Sequence, residues 1–251
     1  MNSAPMRPTP SDTRFGVRSV LALLALVLVA VPFGLLLFFV QDQWPPLQTV
    51  DDDARDGLHR FALDHGAFTA AMKALSFAGS APVYFVVFTV VAVWLLRRRL
   101  HRLAAFVVVA ELGGAVLNEV VKTIVHRARP IVSDPLAHAS GLSFPSGHSQ
   151  AAVVSYSVLL LLFWPAMSPG WRKAWLALSI VLVLGIGLSR VALSVHYASD
   201  VLAGYALGAA WVVAMTAVFS AWRLERGERP VDPGDGLAPE EASQLRPGSG
   251  G

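Results

Sequence analysis

Apolar runs of near-membrane length alternate with short polar connectors along most of the chain, and the breaks between them fall at arginines, prolines and glycines. A helix rising about 1.5 Å per residue needs roughly 20 apolar residues to cross a hydrocarbon core. On that basis residues 20–40, 81–96, 103–125, 149–167, 174–189 and 200–222 are expected as six transmembrane helices of an all-α bundle. The first resembles a signal peptide in its basic approach, but its apolar core is too long and no small-x-small cleavage site precedes Trp44, so it is expected to be retained. Residues 1–17 and 223–251 are rich in Pro, Gly and charge and are expected as disordered tails flanking an 18–222 membrane domain.

The cations orient this bundle. Arg97, Arg98, Arg99, His101 and Arg102 follow the second span, Arg172 and Lys173 the fourth, and Arg223, Arg226 and Arg229 the sixth. Positive charge is retained on the cytoplasmic side, so both termini are expected inside. The opposite face then carries the loops at 41–80, 126–148 and 190–200. The 41–80 loop has an acidic front, Asp42, Asp51, Asp52, Asp53 and Asp56 against Arg55. From Leu58 its apolar residues fall at helical spacing, which predicts an amphipathic helix at the membrane surface, packed on the bundle or serving as a substrate lid.

Composition narrows the function classes. With 55% hydrophobic and 15% charged residues the chain does not fit a soluble domain. Its net charge of +3 lies in topological arginines, with no basic face interleaved with aromatics, so no nucleic-acid partner is expected. The absence of cysteine excludes thiol and disulfide chemistry. Glu111, Asn118, Glu119 and Lys122 lie within the third span and must avoid lipid. Glu119 can pair with Lys122 at i, i+3, and Glu111 can join helices by hydrogen bonding.

Three segments on the face opposite the arginines carry candidate chemistry. Lys122 and Arg129, followed by Pro130, are seven residues apart, and a continuous helix would put both cations on one side about 10 Å apart. Pro145, Ser146, Gly147 and His148 read as a turn opening a helix, with a hydroxyl, a close backbone N–H and a proton carrier aimed at an anion. Ser189 and Arg190 precede His196 and Asp200, which are four apart. On one helical turn the carboxylate can accept from one ring nitrogen and leave the other as nucleophile or base.

Lys-x6-Arg-Pro, Pro-Ser-Gly-His and Ser-Arg-x5-His-x3-Asp together resemble the signature of the type-2 phosphatidic acid phosphatase family of membrane lipid phosphatases, related to bacterial acid phosphatases and vanadium haloperoxidases. The resemblance covers the third span to the start of the sixth. It implies that His196 attacks phosphorus, that Asp200 orients its ring, and that His148 protonates the leaving group and then activates water. Lys122, Arg129, Arg190, the Ser146 hydroxyl and the Gly147 N–H would hold the phosphoryl oxygens, with no metal and no cofactor. The substrate would be a lipid phosphate or diphosphate, such as phosphatidic acid, phosphatidylglycerol phosphate or undecaprenyl diphosphate, met on the extracytoplasmic face of the cell membrane. His126 and Arg127, beside the site, are expected to meet a second phosphate. A non-catalytic headgroup-binding or transport protein and a vanadate-dependent haloperoxidase are the competing readings.

Overall fold

The computed structural model describes residue 27 and residues 29–245. The expected tail 1–17, the first part of the 20–40 span and residues 246–251 lie outside the described residues. Eight α-helices follow one another with no β-strand among the described residues: α1 Val29–Gln41, α2 Pro45–Asp64, α3 Gly66–Ala78, α4 Ala81–Arg97, α5 His101–Val125, α6 Gly147–Phe163, α7 Pro169–Ala192 and α8 Ala198–Glu225.

By length and composition α5, α6 with its 3-10 extension to Ala166, α7 and α8 are each able to cross a membrane. The helices α3 and α4 pass that test jointly, bent by 44° at their junction, and α1 is a shorter apolar helix. From the second apolar run onward, the runs therefore became helices close to their expected bounds. The 41–80 segment differs from expectation. It is helical from Pro45 rather than from Leu58, because Pro45 and Pro46 open α2, and the break comes at His65 before α3. Both helices pack on the bundle, α2 against α7 and α8, and α3 against α7.

The cationic helix ends meet at one end of the bundle. Arg102 at the start of α5 pairs with Glu228 beyond α8 and lies over the Trp222 ring, while Arg172 lies over Trp164. The stretch expected as a disordered tail is folded onto this end as far as Leu245. Leu237 is fully buried, its N–H donates to the Leu161 carbonyl at 3.0 Å, and buried Arg223 donates to the Leu237 carbonyl and pairs with Glu240 at 2.7 Å. The Pro/Gly composition permits turns, but Val231, Leu237 and Leu245 supply enough apolar surface to cap the core.

Helix α8 packs tightly on α6. Gly204 and Gly208, four residues apart, face α6, where an added Cβ would lie 2.6 Å from the Ser146 carbonyl oxygen and 2.8 Å from that of Gln150. Small residues at i and i+4 let two membrane helices touch backbone to backbone. Here the contact lets Ser146 N–H donate to the Asp200 carbonyl at 2.9 Å, which joins two of the signature segments. Gly204→Ala should therefore separate the helices at the cost of roughly 1–3 kcal/mol. The check is thermal unfolding in detergent, where an unchanged midpoint would contradict the tight packing.

Candidate active site

At the other end of the bundle, three loop-and-helix-end segments converge. Helix α5 stops at Val125 with His126 in the left-handed conformation, so it does not run through to Pro130 as the spacing argument assumed. The chain turns there, and Arg129 reaches the site from a loop. Its Nε donates to the Ser140 and Gly141 carbonyls at 3.2 and 3.1 Å, and its Nη1 donates to the Val195 carbonyl at 2.8 Å.

Arg129 Nη1 also lies 3.0 Å from His196 Nε2. A guanidinium can only donate, so Nε2 must present its lone pair and the ring proton must sit on Nδ1. Nδ1 faces Asp200 Oδ2 and Ser143 Oγ, each at 3.4 Å. These contacts are long, as catalytic hydrogen bonds often are without substrate. His196 lies in the turn before α8 rather than on a helix, and Asp200 reaches back to it from the first turn of α8. Burial, reinforced by Arg129 and Arg190 and opposed by Asp200, pushes the imidazole pKa down to about 4. The ring is therefore neutral at physiological pH, with its lone pair available.

Asp200 is completely buried and would be prohibitively costly as an isolated charge. Its oxygens are met by Ser143 Oγ at 2.5 Å, Tyr197 N–H at 2.9 Å and Arg127 Nη1 at 2.7 Å. Arg127 also donates to Ser199 Oγ at 2.7 Å and to Asp51 Oδ2 at 2.8 Å. Burial works against the Arg127 charge, yet Asp200 and Asp51 hold its pKa above the ordinary value. Asp51, almost fully buried on α2, accepts in turn from Ser199 N–H at 2.8 Å and Ser199 Oγ at 2.5 Å. Arg127 thus serves Asp200 from behind the histidine. The expectation that it meets a second phosphate is corrected by this ion-pair network, and His126 and Arg127 line a separate pocket with Asp51.

A cavity of about 1130 Å³ opens in front of the histidine. Lys122, Arg129, Gly147, His148, Arg190 and His196 form its polar end, while Tyr84, Phe88, Leu96, Val107, Leu112 and Val154 of α4, α5 and α6 continue it as an apolar groove. Lys122 also pairs with Glu119 at 3.1 Å, as the i, i+3 spacing predicted. Arg190 donates to Ser76 Oγ of α3. Ser146 departs from expectation: fully buried, it is the N-cap of α6, and its Oγ accepts from Ser149 N–H at 3.4 Å and Ser149 Oγ at 3.0 Å. It is not among the residues lining the cavity, whereas Gly147 beside it is.

Asp51, Ser143 and Ser76 were not singled out from the sequence. A signal for Asp51 existed, since Asp51, Arg55, Leu58 and Ala62 fall at i, i+4, i+7 and i+11, one face of a helix begun at Pro45. Nothing in the sequence distinguishes Ser143 or Ser76.

Fold and site define a polytopic helical membrane protein whose cationic, two-histidine cup opens into an apolar groove. Residues 102–224 match the PAP2 superfamily, and the chain belongs to that family. Over 154 residues it is 32% identical to the decaprenylphosphoryl-5-phosphoribose phosphatase of Mycobacterium tuberculosis (strain ATCC 25618 / H37Rv), covering 59% of this chain and 78% of that one. Phosphatidylglycerophosphatase B of Bacillus subtilis (strain 168) is 41% identical over 95 residues, 37% of this chain, which spans only 46% of that relative's length. A crystal structure of a transmembrane PAP2-type phosphatidylglycerolphosphate phosphatase from Bacillus subtilis has the same fold, with a TM-score of 0.68, 22% identity and coverage of 77% of this chain and 94% of that one.

Removing Arg127 would leave Asp51 and Asp200 facing each other without their shared cation. Loss of one partner from a buried ion pair costs roughly 3–5 kcal/mol, so Arg127→Ala should lower the unfolding midpoint sharply. An unchanged midpoint in thermal unfolding in detergent would contradict the network.

Proposed function

We propose that this protein is an integral-membrane lipid phosphate phosphatase working through a phosphohistidine, without a metal. The observation that carries the proposal is the fixed tautomer of His196, with Nε2 presented to the cationic cup and Nδ1 held toward buried Asp200. Binding a phosphate needs cations only. A positioned neutral imidazole backed by a carboxylate adds a nucleophile, which favours the enzyme over a headgroup-binding or transport role.

The groove allows a lipid to keep its tails between the helices while its phosphate enters the cup. Arg129 moves from His196 Nε2 to the phosphoryl oxygens, joined by Lys122, Arg190 and the Gly147 N–H. Nε2 attacks phosphorus, the P–N bond forms as the bond from phosphorus to the lipid oxygen breaks, and Asp200 balances the charge on the ring. His148 gives its proton to the leaving alkoxide. It then takes one from water, whose oxygen attacks phosphorus and releases inorganic phosphate and free His196. Three cations offset the transferring phosphoryl group, the task a metal performs in other phosphatases.

The topology that goes with this reading has six spans, with α1 in the first and α3 with α4 as the bent second. Both termini lie inside and the site faces the periplasm or exterior, a placement supported by the arginine–tryptophan end opposite the cup. A lipid substrate suits this embedded groove better than the freely diffusing halide and peroxide of a haloperoxidase.

The reading predicts phosphate release by the detergent-purified protein from phosphatidic acid in the presence of EDTA, and its loss in His196→Ala. Headgroup binding without hydrolysis would transfer the weight to the binding or transport role. Because His196 is neutral down to about pH 4, its protonation should not limit turnover at pH 5–7. Nitrogen-15 NMR of histidine-labelled protein should show one ring still neutral at pH 5 that disappears in His196→Ala, and a ring titrating near 6.5 at that position would contradict the assignment.

A further inference from the structure

The groove is not uniformly apolar below the cup. Tyr84 on α4 is 8% exposed, and its hydroxyl has no hydrogen-bond partner among the described residues. Glu111 on α5 accepts from Ser155 Oγ of α6 at 3.0 Å through Oε2, while its buried Oε1 has no partner among the described residues. Both residues line the same cavity that holds His148 and His196. The bond to Ser155 accounts for one oxygen of Glu111 as a link between helices and leaves the other unexplained. A buried polar atom without a partner is destabilising, and an ionisable residue at such depth marks a functional position by default.

Their depth follows from two independent helices. Asn118 on α5 lies at the level of the cup, its Oδ1 3.3 Å from where a Cβ on Gly147 would sit; Glu111 precedes it by seven residues, and Ser155 follows His148 by seven on α6. At α-helical rise each is about 10 Å below the level of the cup. The groups offered there are the Glu111 carboxyl and the Tyr84 hydroxyl, which suit a neutral hydroxyl and oppose a second phosphate.

We propose that Glu111 and Tyr84 form a second polar subsite that binds a neutral hydroxyl carried about 10 Å from the phosphorus of the substrate lipid. The substrate class is then a lipid phosphate bearing a hydroxyl on its acyl chain or sugar, in preference to a bare polyprenyl phosphate, whose chain offers no hydrogen bond at that depth. The inference rests on the groove holding the lipid of the proposed phosphatase reaction, and it concerns selectivity rather than the chemical step.

The test uses a matched pair, dimyristoyl phosphatidic acid and its counterpart with 3-hydroxymyristoyl chains, and separates binding from chemistry. Dissociation constants are measured on the full chain carrying His196→Ala, and turnover on the unmodified protein with EDTA. A hydrogen bond to a carboxyl group gives an expected preference of roughly tenfold for the hydroxylated lipid. Adding Tyr84→Phe or, separately, Glu111→Leu to the His196→Ala protein should bring that ratio to near one. Equal binding of the two lipids, failure to bind either, or an undiminished preference in the folded Tyr84→Phe protein would overturn the subsite. Selective binding with no phosphate release from either lipid would leave the subsite standing and remove the phosphatase reading instead.

Discussion

The structure around the site depends on the burial of one carboxylate. Asp200 has no access to solvent, and a charge in that position is tolerable only if neighbouring donors replace water. Those donors come from the 126–146 loop and the turn before α8, and Asp51 on α2 accepts from Arg127 and from Ser199 behind them. Each segment is thereby fixed relative to the imidazole that Asp200 faces. The close approach of α6 to α8 at Gly204 serves the same end, since it lets the Ser146 N–H meet the Asp200 carbonyl. Helix packing and histidine placement are one constraint.

In the proposed reaction the cup and groove divide the work of recognition. Lys122, Arg129 and Arg190 gather at helix ends and loops, where an anion can enter from the aqueous side, while the cavity behind them follows α4, α5 and α6 into the apolar part of the bundle. A phosphate and a lipid tail can thus be held by different physical forces in one continuous space. Arg127, which lies in the same signature segment as Lys122 and Arg129, is turned away from that space and spent on orienting Asp200. Proximity in sequence to a phosphate-binding motif does not by itself make a cation a ligand.

The apolar runs, the arginine-rich ends and the signature residues were legible because each is local: a period, a charge at a boundary, a fixed spacing. Long-range partners were not. Asp51 and Ser199 are 148 residues apart, and no spacing rule relates them. The helix α2 is polar enough to read as a loop, although the placement of Asp51 with Leu58 and Ala62 on one face was visible once Pro45 is taken as a helix start. The segment beyond α8 has the composition of a disordered tail, and only contacts with α6 and Arg223 show that it closes the bundle. Ser146 was assigned to the ligand from its place in the motif, whereas its buried hydroxyl caps α6, the ordinary task of a serine at that position.

The central claim is that His196 carries the phosphoryl group. It is tested most directly by rapid acid-free quenching of the full-length protein during turnover of a phosphorus-32-labelled lipid phosphate in EDTA, followed by peptide mapping. The predicted result is a base-stable, acid-labile label on the peptide containing His196, absent from His196→Ala. Label on another residue, or phosphate release by His196→Ala at the wild-type rate, would contradict it.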